Sequence, residues 1–435
     1  MAETVVILGA GATKACKGPL TNEILPEVFL NKADFPNAAS LTQLEQFLQQ
    51  NFHVATGAPP QDYPGLPLLM SLIDTAIERR QAFHPAWDVD AVTQLRHAME
   101  LAIFDLLEYR LEKAPTNNHY QMLSQIYPVP QEPRIISMNY DVIIDAAVMF
   151  YAESRPPQAT GAAARWRFPD YGCDISTDLY RNHPERFGTL LKLHGSLNWL
   201  YCPTCHRLEI GASEARPFVK ALTSLVGAGH KLESFYLGTG SKCQTCGTEL
   251  RALLIAPSHL KNYRNPHLTN VWYRAERLLR SANRAVFVGY SLPDDDVEVV
   301  YLLKRGLAHL SPADITVVEF DATNPDITLG AHPVGRRYRS LFGDGIAWSA
   351  RGLDSWLRSS QVAANKSAVA KKAAEIRWAK HRARVRSARK ARAARQNAKL
   401  GDGPKGRRRR KSKTKHEQIS SNSKRTARRR TRDHI

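Results

Sequence analysis

The chain has 435 residues, and its 61 Lys and Arg against 41 Asp and Glu give a formal charge of +20 that sits at one end. Residues 361–435 hold 27 basic and 4 acidic groups, a net of +23, whereas residues 1–360 hold 34 and 37, a net of −3. A near-neutral body that size with 43% hydrophobic residues overall can build a large core, and six cysteines are too few for a disulfide scaffold. No run approaches the roughly 18 apolar residues of a membrane helix, and the first residues lack a basic start followed by an apolar stretch, so membrane insertion and secretion are not expected.

The first element is Thr4-Val5-Val6-Ile7-Leu8, a continuous apolar run of the kind a parallel strand buried on both faces requires. It feeds Gly9-Ala10-Gly11-Ala12, where glycines after a strand let the backbone approach a phosphate at the start of the next helix. Position 14 is Lys, not the last glycine of a dinucleotide fingerprint, so a tight strand-to-helix turn is an equal reading. Helical spacing at residues 41–50 and 91–111 then points to a helical insertion over about residues 30–130.

Further short strands are expected at residues 134–138, 189–193, 253–256, 285–289 and 315–320, with helices at 268–282 and 297–310. Strands alternating with helices predict an α/β fold with a doubly wound, parallel, Rossmann-like sheet. Polar residues cluster where these strands end, which is where open α/β sheets place ligand crevices. Ser137-Met138-Asn139-Tyr140-Asp141 offers an amide and a carboxylate, although both residue types also cap helices. Lys192-Leu193-His194-Gly195 offers an imidazole suited to proton abstraction near neutral pH. Gly289-Tyr290-Ser291-Leu292-Pro293-Asp294-Asp295-Asp296 follows the fifth strand, and Asp321 and Asn324 follow the sixth; such groups can hold ribose hydroxyls or an adenine edge, or be plain loop.

Cys202-Pro203-Thr204-Cys205 and Cys243-Gln244-Thr245-Cys246 are two thiolate pairs able to close a tetrahedral structural zinc site, within a small module over about residues 200–251. Beyond residue 356 the composition turns to Ala, Arg and Lys, with too thin an apolar stripe to fold onto a core. Residues 357–435 therefore read as a basic tail, partly helical or disordered, appended to a domain over residues 1–356. Runs such as Arg407-Arg408-Arg409-Arg410-Lys411 suit nonspecific binding to nucleic-acid backbones, with an unbound solubilising tail or an acidic protein partner as the alternatives.

Taken in order, these motifs resemble the sirtuin superfamily, and more closely its divergent bacterial sirtuin-like branch than the protein deacetylases. The resemblance spans roughly residues 4–330. It implies that Gly9, Ala10, Gly11 and Ala12 form the NAD-phosphate turn, that Asn139 and Asp141 match the Asn-x-Asp motif near the nicotinamide ribose, and that His194 is the base beside that ribose. Gly289 and Ser291 are similar to the family's nucleotide loop, Asp321 or Asn324 to its later ribose or adenine contact, and Cys202, Cys205, Cys243 and Cys246 to its structural Zn²⁺ site.

The chain departs from the deacylating sirtuins where they carry Gly-Ile-Pro-Asp-Phe-Arg (here Gly18-Pro19-Leu20-Thr21-Asn22-Glu23), a Gln before Asn-x-Asp (here Met138) and a Phe-Gly-Glu loop (here Leu254-Ile255-Ala256-Pro257-Ser258-His259). The nucleotide half of the motif set is retained and the peptide half is not. The resemblance then implies an NAD-consuming enzyme with catalytic Asn139, His194 and Asp141, foremost an NAD glycohydrolase of the anti-phage type. An NAD-dependent protein deacylase and a non-catalytic NAD or ADP-ribose sensor tethered to nucleic acid remain as alternatives. A cytoplasmic, nucleoid-associated protein with no membrane partner is expected, and self-association through the helical insertion is left open.

Overall fold

A computed structural model describes residues 3–35, 38–112, 118–154, 167–182, 184–210 and 242–361, all within one compact unit, Met1–Val385. The basic tail beyond residue 361 and residues 211–241 lie outside the described residues.

The first strand, β1 (Thr4–Leu8), has its Val5-Val6-Ile7-Leu8 stretch fully buried. It leads through Gly9 into a short helix, α1 (Ala10–Lys14). Five helices follow before the chain returns to the sheet: α2 (Ile24–Leu30), α3 (Ala38–Phe52), α4 (Leu66–Arg79), α5 (Val89–Glu112) and α6 (Asn118–Ile126). The first four of these form a block in which α2, α3 and α4 all pack on α5, around an aromatic knot of Phe47 with Phe52, Phe83 and Trp87.

The sheet resumes with β2 (Arg134–Ser137), α7 (Ile143–Glu153), β3 (Phe168–Asp170), α8 (Asp178–Arg181) and β4 (Arg186–Lys192). A small antiparallel sheet then interrupts it, made of β5 (Gly195–Tyr201), β6 (Leu208–Ile210) and β7 (Arg251–Leu254). The second half comprises α9 (Pro266–Arg280), β8 (Arg284–Val288), α10 (Val297–Gly306), β9 (Ile315–Val318), α11 (Pro333–Phe342), β10 (Ala347–Ser349) and α12 (Gly352–Gln361).

The main sheet has seven strands in the order β10-β9-β8-β1-β2-β4-β3, and every pairing is parallel. Strand order reverses at β1, so the connections leaving β1 and β8 diverge and open a crevice at the carboxyl edge. The register makes this edge straight. Leu8 pairs with Ser137 and Val288, Ser137 with Lys192, and Val288 with Val318. Gly9, Met138, Leu193, Gly289 and Glu319 are therefore each the first residue beyond one common line.

Two expectations change. The strand expected at 253–256 is β7, which pairs antiparallel with β5 in the small sheet rather than joining the parallel one. Leu253 is its one buried residue, and Arg251 at its start is exposed. The strand expected to run to residue 320 ends at Val318. This leaves Glu319 and Phe320 outside the sheet, at the crevice.

Candidate functional site

One cavity of about 490 Å³ lies over the reversal point of the sheet, walled by the ends of β1, β2, β8 and β9 and by His194. The helical block closes it from the other side through Gly65, Leu66 and Pro67 at the start of α4 and Leu107 of α5. Gly9, Ala10, Gly11, Asn139, Asp141, His194, Gly289 and Ser291 all face it. Ala12 is buried behind the turn instead. Asp321 and Asn324 are not among the lining residues.

The glycines are needed first for backbone meeting backbone. Gly9 N–H donates to Val288 O at 3.1 Å and Gly11 N–H to Gly289 O at 2.8 Å, so the β1 turn lies directly on the β8 turn. Gly289 has φ +59, and a Cβ there would sit 2.2 Å from Ala12 N, which no side chain could tolerate. Ala12 N–H donates to Gly9 O at 2.9 Å, so the amides of Gly9, Gly11 and Ala12 are committed inside the protein. What the turn offers a ligand is close approach.

Asn139 and Asp141 lock that turn to β2. Asn139 Nδ2 donates to Gly9 O at 2.9 Å and to Thr13 Oγ1 at 2.8 Å, and Thr13 Oγ1 donates in turn to Asp141 Oδ2 at 2.6 Å. Asp141 Oδ1 accepts from Ile143 N–H, the first residue of α7, at 2.9 Å. With both amide hydrogens taken, the Asn139 side chain has its Oδ1 acceptor left for a ligand. Thr13 is the pivot of this network and lines the cavity, a role that a single Thr inside a Gly-Ala-Gly-Ala-Thr turn did not announce.

Behind this segment lies a second polar cluster without access to water. Lys192 and Asp145 are fully buried and 3.1 Å apart. Lys192 Nζ also donates to Asp141 O at 2.6 Å and Ser196 Oγ at 2.7 Å, while Tyr171 OH donates to Asp145 Oδ1 at 2.7 Å. The lysine thus ties the Asn139–Asp141 loop to the end of β4, two residues before His194.

His194 is buried, and its ring packs between Tyr140 and Tyr263. Its Nε2 has no hydrogen-bond partner and lies 3.6 Å from Asp296 Oδ1. Burial lowers its pKa most, and Lys261 acts in the same direction against Asp296, the Met138 backbone and Asp295. The ring is therefore neutral at neutral pH, and His194 is one of the residues that line the cavity. Gly195 must follow it: φ is +80 there, and a Cβ would lie 2.0 Å from Leu253 O of the neighbouring strand β7.

Lys261 was not singled out from the sequence, and Asp296 stood there only as the last residue of the Gly289–Asp296 motif. Lys261 ion-pairs with both Asp295, at 2.7 Å, and Asp296, and its side chain is 2% exposed. Tyr290 OH adds a 2.8 Å hydrogen bond to Asp296. Burial alone would raise the Asp296 carboxyl, but the neighbouring His194 and Lys261 and the bonds from Lys261 and Tyr290 hold it below its ordinary value. Since His194 is neutral, Lys261 is the partner that keeps Asp296 ionised.

At the other end of the cavity stand Glu319, Phe320, His332 and Ser291. Glu319 is half-buried overall, but its Oε1 is enclosed and has no hydrogen-bond partner. Burial pushes its carboxyl up to about 7, against a backbone hydrogen bond and Arg337. Asp321 turns away: its Oδ1 accepts from Thr323 N–H, Thr323 Oγ1 and Asn324 N–H within its own loop, and Asn324 is exposed. Asp321 meets the cavity only through His332, 3.7 Å away. The early end of β9 made Glu319 the first acid at the crevice.

The four cysteines come together. Cys202 and Cys205 lie in the turn after β5, and Cys243 and Cys246 in the turn before β7. Each pair forms the same tight loop: His206 N–H donates to Cys202 O and Gly247 N–H to Cys243 O, with φ of 59 and 72 at these two residues. Cys202 Sγ lies 3.3 Å from Cys246 Sγ and Cys205 Sγ 3.5 Å from Cys243 Sγ, and all four sulfurs are within 4.8 Å of one another. Tetrahedral zinc with Zn–S bonds of about 2.3 Å needs sulfurs about 3.8 Å apart, so this donor set fits a closed structural Zn²⁺ site.

No protein-family model matches the chain, and no curated protein matches it significantly in sequence. Solved structures do. A Sir2 homologue in complex with NAD is 14% identical, with 83% of this chain and 91% of that one covered and a TM-score of 0.38. A mutant Sir2 homologue bound to ADP-ribose is 13% identical over 84% and 94%, at a TM-score of 0.38. A Sir2 complex with a p53 peptide and NAD⁺ is 12% identical over 83% and 93%, at a TM-score of 0.37.

Proposed function

We propose that this chain is a sirtuin-like, NAD-consuming enzyme that delivers water to the ribosyl carbon, releasing nicotinamide and ADP-ribose. The observation that carries the reading is the neutral, buried His194, which has no hydrogen-bond partner for its Nε2 and lines the same cavity as Asn139 and the Gly9–Gly11 turn. In this reading the nicotinamide ribose lies beside Asn139 and His194, the diphosphate crosses the β1 and β8 turns, and the adenosine ribose reaches Glu319. Ser291 and Ala10 flank the nucleotide, and Asp141 acts through Thr13 by fixing the turn.

The reaction needs little from the protein beyond placement and one base. The bond from C1′ to the nicotinamide nitrogen breaks, its electrons leave with neutral nicotinamide, and water oxygen bonds C1′. His194 Nε2 takes the proton from that water and later returns it to solvent. Hydrolysis is preferred to transfer onto an acyl-lysine because the wall next to His194 is the Lys261–Asp296 ion pair, a surface suited to water and hydroxyls rather than an aliphatic chain. The absent Phe-Arg, Gln and Phe-Gly-Glu residues point the same way. The four-cysteine module favours NAD-dependent deacylation as the second reading, and retention of both Asn139 and His194 weighs against a non-catalytic sensor.

The deciding experiment incubates the protein with NAD, with and without an acetyl-lysine peptide, and separates the products, using His194→Ala as control. Nicotinamide and ADP-ribose without peptide, lost in the variant, support the hydrolase. Acetylated ADP-ribose formed only with peptide would make it a deacylase. The basic segment beyond residue 361 is assigned, by its charge, to nonspecific contact with nucleic-acid phosphates. Among the described residues no helix is long and apolar enough to cross a membrane.

A further inference from the structure

Three charged groups that line the cavity exchange no proton in the reaction as outlined: Asp296, Lys261 and Asp295. We propose that Asp296, clamped by Lys261 and Tyr290, is the carboxylate that balances the charge on His194 when it takes up a proton, and that Lys261 sets how strongly it does so. This inference rests on the reading of His194 as the base.

The geometry is specific to this pairing. Asp296 is the last of three consecutive acids; Asp294 is exposed, Asp295 is half-buried, and only Asp296 is buried against the imidazole. Its Oδ1 sits 3.6 Å from His194 Nε2, close enough for strong attraction but not bonded to the neutral ring. Nε2 is thereby left without a hydrogen-bond partner in the protein. Three elements fix the carboxylate. It follows the β8 turn, Tyr290 OH bonds its other oxygen at 2.8 Å, and Lys261 reaches it from the segment joining β7 to α9. That segment is itself anchored to the helical block, because His259 N–H donates to Ser71 Oγ of α4 at 2.8 Å.

The groups facing the imidazole are few. Asp295 and Asp296 come from the β8 to α10 segment, Lys261 and Tyr263 from the β7 to α9 segment, and Tyr140 and the Met138 backbone from the end of β2. Both tyrosine hydroxyls are pushed up by burial and stay neutral, so the local balance is two carboxylates against one ammonium. When the C1′–N bond breaks and water attacks C1′, the water proton moves to His194 Nε2 and the new imidazolium faces Asp296. Lys261 shares that carboxylate and so weakens its pull. The proton then leaves for solvent, and Asp296 stays ionised throughout.

The two substitutions therefore act in opposite directions. Asp296→Asn removes the favourable charge, so His194 should titrate lower, by about one pH unit or more, and the acid limb of kcat/KM should move down with it. Lys261→Met releases Asp296 onto the imidazole, so both should move up by a similar amount, and Lys261→Arg should restore the parent profile. A residue that only supported the fold would change the plateau or the melting temperature without moving the limb in opposite senses.

The test has two arms on the full chain. The first measures the pH dependence of ADP-ribose formation in the parent protein and the three variants. The second follows the His194 imidazole by NMR in the NAD-free protein, identifying its signal by its loss in His194→Gln. Opposite shifts in the NMR arm support the pairing even if no variant turns NAD over, and in that case it is the hydrolase reading that fails. Turnover in the parent protein with a His194 titration unmoved by both Asp296→Asn and Lys261→Met would overturn the pairing and leave the hydrolase standing.

Discussion

Asn139 joins two duties that pull on the same side chain. Its amide hydrogens hold the β1 turn, and its oxygen remains for the ligand. Asn139→Ala should therefore cost both, with stability lower by about 1–3 kcal/mol for the donors' lost partners, Gly9 O and Thr13 Oγ1, and with turnover abolished. Denaturant melts together with product assays check this. Thr13→Val should reproduce the loss of stability while retaining more activity than Asn139→Ala, since Thr13 acts through the turn.

Glu319 carries a pH dependence of its own. Its folded pKa of about 7 lies above the ordinary value near 4.5, so the fold favours the neutral acid. That contribution is complete below the unfolded value and is lost as the pH rises through about 7. Glu319→Gln should consequently raise the melting temperature at pH 8 relative to the parent chain and leave it nearly unchanged at pH 4. If Glu319 accepts hydrogen bonds from the adenosine ribose, the same variant should bind NAD more weakly at pH 8. Calorimetry at the two pH values measures both. The sequence displayed an acid at this place but not which one: Asp321 stood at the expected strand end, and only the backbone turn at Val318 brings Glu319 to the cavity instead. The triple acid at 294–296 hid Asp296 in the same way, because burial distinguishes the three and spelling does not.

Among the elements, the small sheet controls the site from a distance. β5 begins at Gly195, directly after His194, and β7 runs into the segment that carries Lys261. Ile255 N–H donates to His194 O at 2.9 Å, so the two strands hold the base and its charged neighbours together. Apart from the main core, the distal end of this module has, among the described residues, Leu200, Leu250 and its cysteines to bury. So small an apolar cluster needs the metal to keep its two turns closed. Chelation of zinc, or Cys243→Ser, should unfold the distal turns and reduce turnover by at least tenfold while the parallel sheet persists. Far-UV circular dichroism, zinc content and activity measured on the same sample would show whether these losses occur together. The CxxC spacing made the cysteine cluster legible in the sequence. That the module starts at His194 was not legible, since Gly-Ser-Leu-Asn-Trp-Leu-Tyr reads as an ordinary continuation of the chain and its pairing with β7 crosses some fifty residues. The continuous apolar strands β1, β2, β8 and β9 were readable for the opposite reason: burial on both faces leaves no alternation to confuse them, whereas β3, β6 and β10, at three residues each, are too short to carry a period.

At the scale of the whole molecule, the charge is divided more sharply than the fold. Every described residue that lines the cavity lies between Gly9 and Val334, while a net +23 lies in residues 361–435. Ending the chain at Gln361 should thus leave NAD turnover within about twofold of the full protein and remove most of its affinity for duplex DNA. The salt dependence gives the sharper measurement. Each phosphate neutralised by a Lys or Arg contributes about 0.9 to the slope of log affinity against log salt, so a tail using six of its basic groups would give a slope near −5 that is independent of DNA sequence. The body, at net −3, should show almost none. Filter binding of the full and shortened chains across a salt series, with two unrelated duplexes, measures both slopes. A shortened chain that kept the steep slope would move nucleic-acid binding onto the body, whose arginines at 274, 277, 280 and 305 on α9 and α10 would then be the residues to substitute.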